Sequence, residues 1–356
     1  MTYKTLAIFA GAFLVLCMGA ARAPAQNPPL PLGTVNGVAK VASCPVGFFP
    51  GVSCYSATVS CPNTADIVLV YGYRNPPHAG SNGTIVLLSG ADGTTPENED
   101  FVPAYLEAGY QIVQFEWQTP WEDTGLTTKS IQIAACRPAT FLNYVHQKVY
   151  AGGGMCAHGV SAGSAAVAYT LAWYGSGTYL DKAELLSGPV FSNIAQGCVV
   201  PATPAVMVCP SGQFGCNGAP WSDNTPYVLG SEVGVRHWTG DKTCANEFKT
   251  TEQSAVAWTA MSIVNEPVGN PSFNYPKTAM AGWLCSNGLN NSAAEGQLFY
   301  RKFTNPAQTA GYRVTRIDNC NGPEGVTQGT TPQGESGLTA IFNDMVSGSE
   351  ACVKRH

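Results

Sequence analysis

The chain has 356 residues and a formal net charge of −5, with only 12% charged residues against 45% hydrophobic ones. A globular chain usually carries roughly 25% charged residues, and a disordered acidic chain would be charge-rich and poor in apolar residues, so that class is excluded. No basic surplus or Lys/Arg run exists to neutralise phosphates, which excludes a nucleic-acid binder, and the length allows two domains at most or one large domain with insertions.

At the N-terminus, Lys4 precedes the apolar stretch Leu6 to Met18, and small residues follow at Ala21, Ala23 and Ala25. This order predicts a secretory signal peptide over residues 1–25, cleaved after Ala25. The apolar stretch is shorter than the ~20 residues of a membrane-spanning helix, and no other run approaches that length. The mature chain is therefore expected to be exported, secreted or periplasmic, without a membrane span. Leu14-Val15-Leu16-Cys17 resembles a lipoprotein signal only loosely, which leaves lipid anchoring a minor alternative. Without Cys17, 12 of the 13 cysteines remain, an even number that reads as disulfides in an exported chain. Neither paired CxxC spacings nor HExxH occur, so no metal or other cofactor is implied.

From Asp66 onward, short β-rich runs alternate with helical patterns. Strands are predicted at Ile67–Tyr71, Thr84–Leu88, Gln111–Phe115, Met155–His158, Ala183–Leu186, Thr278–Ala281 and Tyr312–Ile317. Nearly continuous apolar runs separated by helices predict a mainly parallel sheet covered on both faces. Between the second and third runs, Thr95 reads as a helix cap and Pro96 as a first helical residue. Glu97, Glu99 and Asp100 then fill the first turn of a helix that runs to Ala108 and stops at Gly109. These acids read as complements of the helix dipole rather than as catalytic carboxylates.

The motif that carries chemistry is Gly159-Val160-Ser161-Ala162-Gly163, between the run Met155–His158 and the helical stretch Ser164–Trp173. Between a strand and a helix this pentapeptide reads as a nucleophile elbow. Gly159 and Gly163 permit a cramped turn that holds the Ser161 hydroxyl exposed above the sheet. The helix start offers the Ala162 N–H to a developing oxyanion. Beyond it, Phe191 to Pro276 breaks the rhythm: Gly, Pro, Asn and Thr abound, with Cys198, Cys209, Cys216 and Cys244 and the aromatics Trp221, Tyr227, Trp238 and Trp258. So long a stretch predicts an insertion with its own short elements, stapled by local cysteine pairs.

From Asp66 to Met345 the chain resembles the α/β-hydrolase superfamily, in its secreted esterase or lipase-like branch. The resemblance rests on the elbow and on the order of strands around it. It implies a doubly wound α/β fold with a disulfide-containing cap between the sixth and seventh core strands. The implied division is an N-terminal extension and first strand over 26–65, core over 66–190 and 277–356, and cap over 191–276. The family's oxyanion loop maps onto Leu88-Ser89-Gly90-Ala91-Asp92-Gly93, implying Gly90 or Ala91 as second backbone donor. The family's acid position falls on Asn287 or Asn290, and its histidine loop reads Asp318 to Val326, where Glu324 stands and no His is present. Cys285 and Cys320 end strands that the resemblance makes adjacent, which implies a disulfide between them; Cys320 with Cys352 is the alternative.

Of the five histidines, His78 falls in a turn, His146 in a helix, His158 beneath the elbow and His356 at the terminus, while His237 lies in the insertion. A Ser hydroxyl is a weak nucleophile until a base takes its proton. Three readings remain open: Glu324 as a base with a raised pKa, His237 acting from the cap, or a fold that only binds. The expected function is hydrolysis of a small-molecule or polymeric carboxylic ester by Ser161, the aromatic cap suggesting an apolar or aromatic group. The alternative is a non-catalytic binding protein on the same fold, with peptidase or thioesterase chemistry behind both.

Overall fold

A computed structural model describes residues 29–78, 80–90, 93–97, 100–123, 130–194, 207–208, 220–221, 251–264, 272–286, 292–303, 306–321 and 325–355. The strands are β1 Thr34–Lys40, β2 Ser53–Ser60, β3 Ile67–Arg74, β4 Gly83–Leu88, β5 Tyr110–Trp117, β6 Gly154–Val160, β7 Lys182–Leu186, β8 Met207–Val208, β9 Pro220–Trp221, β10 Tyr275–Cys285 and β11 Thr309–Ile317. Nine of them form one sheet in the order β1-β2-β3-β5-β4-β6-β7-β10-β11. From β5 to β11 all neighbours pair parallel, whereas β1, β2 and β3 join antiparallel at one edge. All seven predicted strands are present. The stretch before Asp66 holds two strands where the sequence suggested one; β1 is mostly exposed and carries no apolar run to betray it.

Helices cover both faces. On one lie α2 Ile131–Ala134, α3 Cys136–Lys148 and α4 Ala162–Tyr174; on the other lie α1 Phe101–Glu107 and a late helix, Gly337–Val346. Every residue of α4 is buried, as expected of a helix apolar on all sides. The chain leaves the sheet after β7 and rejoins it at β10. Between them α5, Thr251–Met261, sends Trp258 into the main core beside Phe191 and Ile194, so the described ends of this stretch pack on the sheet domain itself. The four cysteines expected to staple it lie outside the described residues. After β10 come α6, Ser292–Tyr300, then β11, then the late helix, here α7.

The helix predicted from Pro96 begins instead at Phe101, and no acid lies in its first turn. Pro103 explains the difference. It lacks an N–H and would clash inside a helix begun at Pro96, but it is harmless in the first turn of one begun at Phe101. Thr95 to Glu97 are loop, and the Glu97 carbonyl accepts a hydrogen bond from the buried Gln114 Nε2 at 3.0 Å. The dipole reading of Glu97 is thereby overturned.

Four disulfides fasten the described chain: Cys44–Cys54, Cys61–Cys136, Cys156–Cys352 and Cys285–Cys320. The last is the pairing the resemblance implied. The Cys320–Cys352 alternative fails because Cys352 is taken by Cys156, on a strand that the C-terminal segment passes. β10 and β11 are adjacent, as that pairing requires, and Cys285 lies opposite Ile317.

Candidate active site

The turn at the end of β6 holds a strained residue at the sheet's C-terminal edge. Ser161 has φ +50° and ψ −115°, a conformation side chains rarely adopt, and it stands partly exposed. Its N–H donates to the Leu186 carbonyl at 2.8 Å and its carbonyl accepts from Ala165 N and Ser164 Oγ, which lock the turn. The two glycines of the motif serve space rather than unusual torsions. A Cβ on Gly159 would lie 2.6 Å from the Gly163 carbonyl oxygen, and one on Gly163 would lie 2.2 Å from the Leu88 oxygen. The first turn of α4 is thus pressed against the end of β4 and the loop that leaves it.

That contact falls where the winding of the sheet reverses. β5 flanks β4 on one side and β6 on the other, so the loop after β4 leads to α1 on one face and the elbow leads to α4 on the opposite face. Such a switch point opens a crevice at the strand ends. A cleft of about 320 Å³ lies there, between Ser89–Gly90, Thr95–Glu97 and Val326–Gln328, with Val160 and Leu186 at the strand ends beneath it. Gly90 and the Ala162 N–H, the first of the helix, are therefore on abutting segments, as two oxyanion donors must be.

The other predicted site residues divide. Ala91, His237, Asn287 and Glu324 lie outside the described residues. The residues immediately after Glu324 form a single 3-10 turn, Gly325–Thr327, that lines the cleft. Of the histidines, His78 is exposed in its turn and His146 stacks on Tyr179 at 4.8 Å. His158 is fully buried, with Nδ1 3.1 Å from Glu184 Oε2 and 3.3 Å from Tyr105 Oη. Burial pulls its imidazole down to about 4, and the Glu97 charge offsets this in part. Burial likewise pushes Glu184 up to about 8. The pair is a structural layer under the elbow, bonded away from the serine.

Sequence reasoning assigned one residue of the cleft wall to a helix start instead. Glu97 is 9% exposed and sits with Thr95 and Pro96 across from the strand ends. Pro103 was the available signal: by setting the helix start at Phe101 it releases Glu97 into the loop. Among the described residues, no cluster of three metal-ligating side chains occurs, and no helix is long and apolar enough to cross a membrane.

No protein-family model matches the chain, and no curated protein matches its sequence. Among solved structures, the acetyl xylan esterase from Paenibacillus sp. R4 is 12% identical, with 81% of this chain and 84% of that one covered and a TM-score of 0.44. One of two fungal esterases from Rhizomucor miehei is 13% identical over 83% of this chain and 81% of its own, with a TM-score of 0.41. Brefeldin A esterase, a bacterial homologue of human hormone sensitive lipase, is 16% identical over 77% and 71%, with a TM-score of 0.39. These superpositions are loose. The strand order, the helices on both faces and the strained serine after β6 make the fold one of α/β-hydrolase type, and the chemistry is decided by the site's own atoms.

Proposed function

We propose that the protein hydrolyses a carboxylic ester through an acyl-enzyme on Ser161. The observation that carries this reading is the positive φ of a partly exposed serine that directly follows Val160, a residue lining the cleft. Strain of this kind costs on the order of 1–3 kcal/mol and persists where a site uses it. Ser161 Oγ attacks the carbonyl carbon, and the N–H groups of Ala162 and of Gly90 or Ala91 hold the oxygen as it becomes negative. Glu324, adjoining the turn that lines the cleft, takes the serine proton and returns it to the leaving alkoxide; water then releases the acid by the same exchange. His237 is the competing base, and Asn287 falls at the acid position that the resemblance implies. The four disulfides and the leader-like first 25 residues support export to an oxidising compartment.

The test is labelling of the purified protein with a fluorophosphonate, read by intact mass, beside turnover of a p-nitrophenyl ester. An adduct absent from Ser161→Ala, together with turnover, is expected. No adduct and no turnover replaces the enzyme with a binding scaffold. The pair Glu324→Gln and His237→Ala identifies the base: the variant that stays folded and loses turnover lacked it. That loss should approach ~10⁶-fold if the base and serine act as a unit.

A further inference from the structure

The cleft lined by Val160, the residue before Ser161, has mostly polar walls. The polar residues Ser89, Thr95, Thr327, Gln328 and Glu97 are among those that line it, and the apolar lining residues are Val160 and Leu186 at the strand ends, Pro96 and Val326. An acyl chain or aromatic ring filling this space would strip water from those groups without replacing their hydrogen bonds, at ~1–3 kcal/mol for each group left unpaired. The backbone of Glu97 is anchored: its carbonyl accepts a hydrogen bond from Gln114 Nε2, from a side chain with no solvent exposure. The Glu97 charge is felt at His158 below the cleft.

We propose that this cleft binds the hydroxyl-bearing alcohol portion of the ester, a sugar or similar polyol, with the Glu97 carboxylate accepting hydrogen bonds from its hydroxyls. A pyranose fits both features of the walls: its ring face meets Val160 and Leu186, and its edge hydroxyls meet the polar groups. The cleft's volume of about 320 Å³ lies at the lower end of the roughly 300–1,000 Å³ of ligand pockets, which suits one ring rather than a long chain. Placing the scissile bond at the Gly90 end rests on the esterase reading; binding of the polyol does not.

The experiment is a ligand-observed NMR titration of the full Ser161→Ala protein with methyl β-D-glucopyranoside and, separately, with cyclohexanol. The glycoside is expected to bind at least ~10-fold more tightly than cyclohexanol. Adding Glu97→Gln should weaken it about 10-fold, the worth of one hydrogen bond to a charged group. Equal or better binding of cyclohexanol overturns the proposal, as does a glycoside affinity unmoved by Glu97→Gln. Thr95→Val with Gln328→Leu, at exposed positions, repeats the test should Glu97→Gln not fold, and unchanged affinity there again overturns it. Fluorophosphonate labelling of Glu97→Gln in the Ser161 background separates the roles. Retained labelling is expected; lost labelling in a folded protein assigns Glu97 to serine activation and overturns the binding role. Failure of the parent protein to label removes the esterase reading and leaves the glycoside result standing.

Discussion

His158 and Glu184 face each other across the parallel strands β6 and β7, Nδ1 to Oε2 at 3.1 Å, and neither side chain reaches solvent. Burial sets both pKa values, Glu184 up to about 8 and His158 down to about 4, so both groups are neutral through the range between. The folded protein then keeps the Glu184 proton where the unfolded chain, with its carboxyl near 4.5, has lost it. This contribution is complete below 4.5 and is lost as pH rises to 8. The His158 contribution has the opposite sense: complete above 6.5, lost as pH falls to 4. The two slopes oppose each other between 4.5 and 6.5, and above 6.5 only the Glu184 slope remains.

Stability should therefore fall by about 2 kcal/mol between pH 6.5 and 8, at ~1.4 kcal/mol per pH unit for one proton. Glu184→Gln keeps a donor for Nδ1 and has nothing to titrate, so its curve should be flat over that interval. Urea denaturation of both proteins at pH 5.5, 6.5 and 8 measures this. Parallel curves for wild type and variant would remove the neutral-pair account.

Ser161 invites a stability test independent of any substrate. At φ +50° its side chain is strained, and glycine is not. Ser161→Gly should be more stable than Ser161→Ala by ~1–2 kcal/mol, since both lack the hydroxyl and only one is relieved. Both should fail to label with a fluorophosphonate. Equal denaturation midpoints would show that the turn holds no strain to release.

The elbow was legible in the sequence because its demands are local: a strand, two residues without side chains and a helix, all within about twenty positions. The parallel strands were legible for a similar reason, since burial on both faces leaves continuous apolar runs. Glu97 was misread because a capping pattern is local whereas Pro103, Gln114 and the cleft that decide its position are not. The row of buried polar residues under the elbow was equally hidden. His158 meets Glu184, and Lys182 meets Asp344, only after two strands and a helix are assembled. The Cys156–Cys352 bond joins residues 196 positions apart, which no spacing rule reaches.

Gly163 tests how the proposed oxyanion donors are held. A methyl at this position would meet the backbone oxygens of Leu88 and Ser89 at 2.2 and 2.6 Å, and backbone cannot swing aside as a side-chain tip can. Gly163→Ala should lose stability at the upper end of the ~1–3 kcal/mol typical of overpacking. The helix start must also withdraw from the β4 loop, separating Ala162 from Gly90. A displacement near 1 Å there should lower ester turnover by ~10²-fold or more even in protein that remains folded. Thermal unfolding and p-nitrophenyl ester turnover measured below the transition separate the two effects. Wild-type turnover in Gly163→Ala would mean the abutment plays no part in catalysis.

The Cys285–Cys320 bond closes a loop of 35 residues, from the end of β10 to just past β11. Chain entropy assigns such a closure about 4 kcal/mol. Whether the bond also aligns the site depends on what else holds the strand ends. The β10–β11 pairing continues to Cys285 opposite Ile317, and Ser286 N donates to the Ile317 carbonyl at 2.8 Å, so the roots of both loops stay in register without the sulfurs. The double variant Cys285→Ser with Cys320→Ser should therefore lose roughly 3–4 kcal/mol in urea denaturation. Its ester turnover, assayed well below the unfolding transition, should fall by less than about tenfold, since an error in register rather than in stability is what misplaces reacting groups. Turnover abolished in folded protein would reverse that order and make the bond itself the device that sets the loop containing Glu324. Disulfide mapping of the native protein checks the premise, and a peptide linking either cysteine to another partner would remove it.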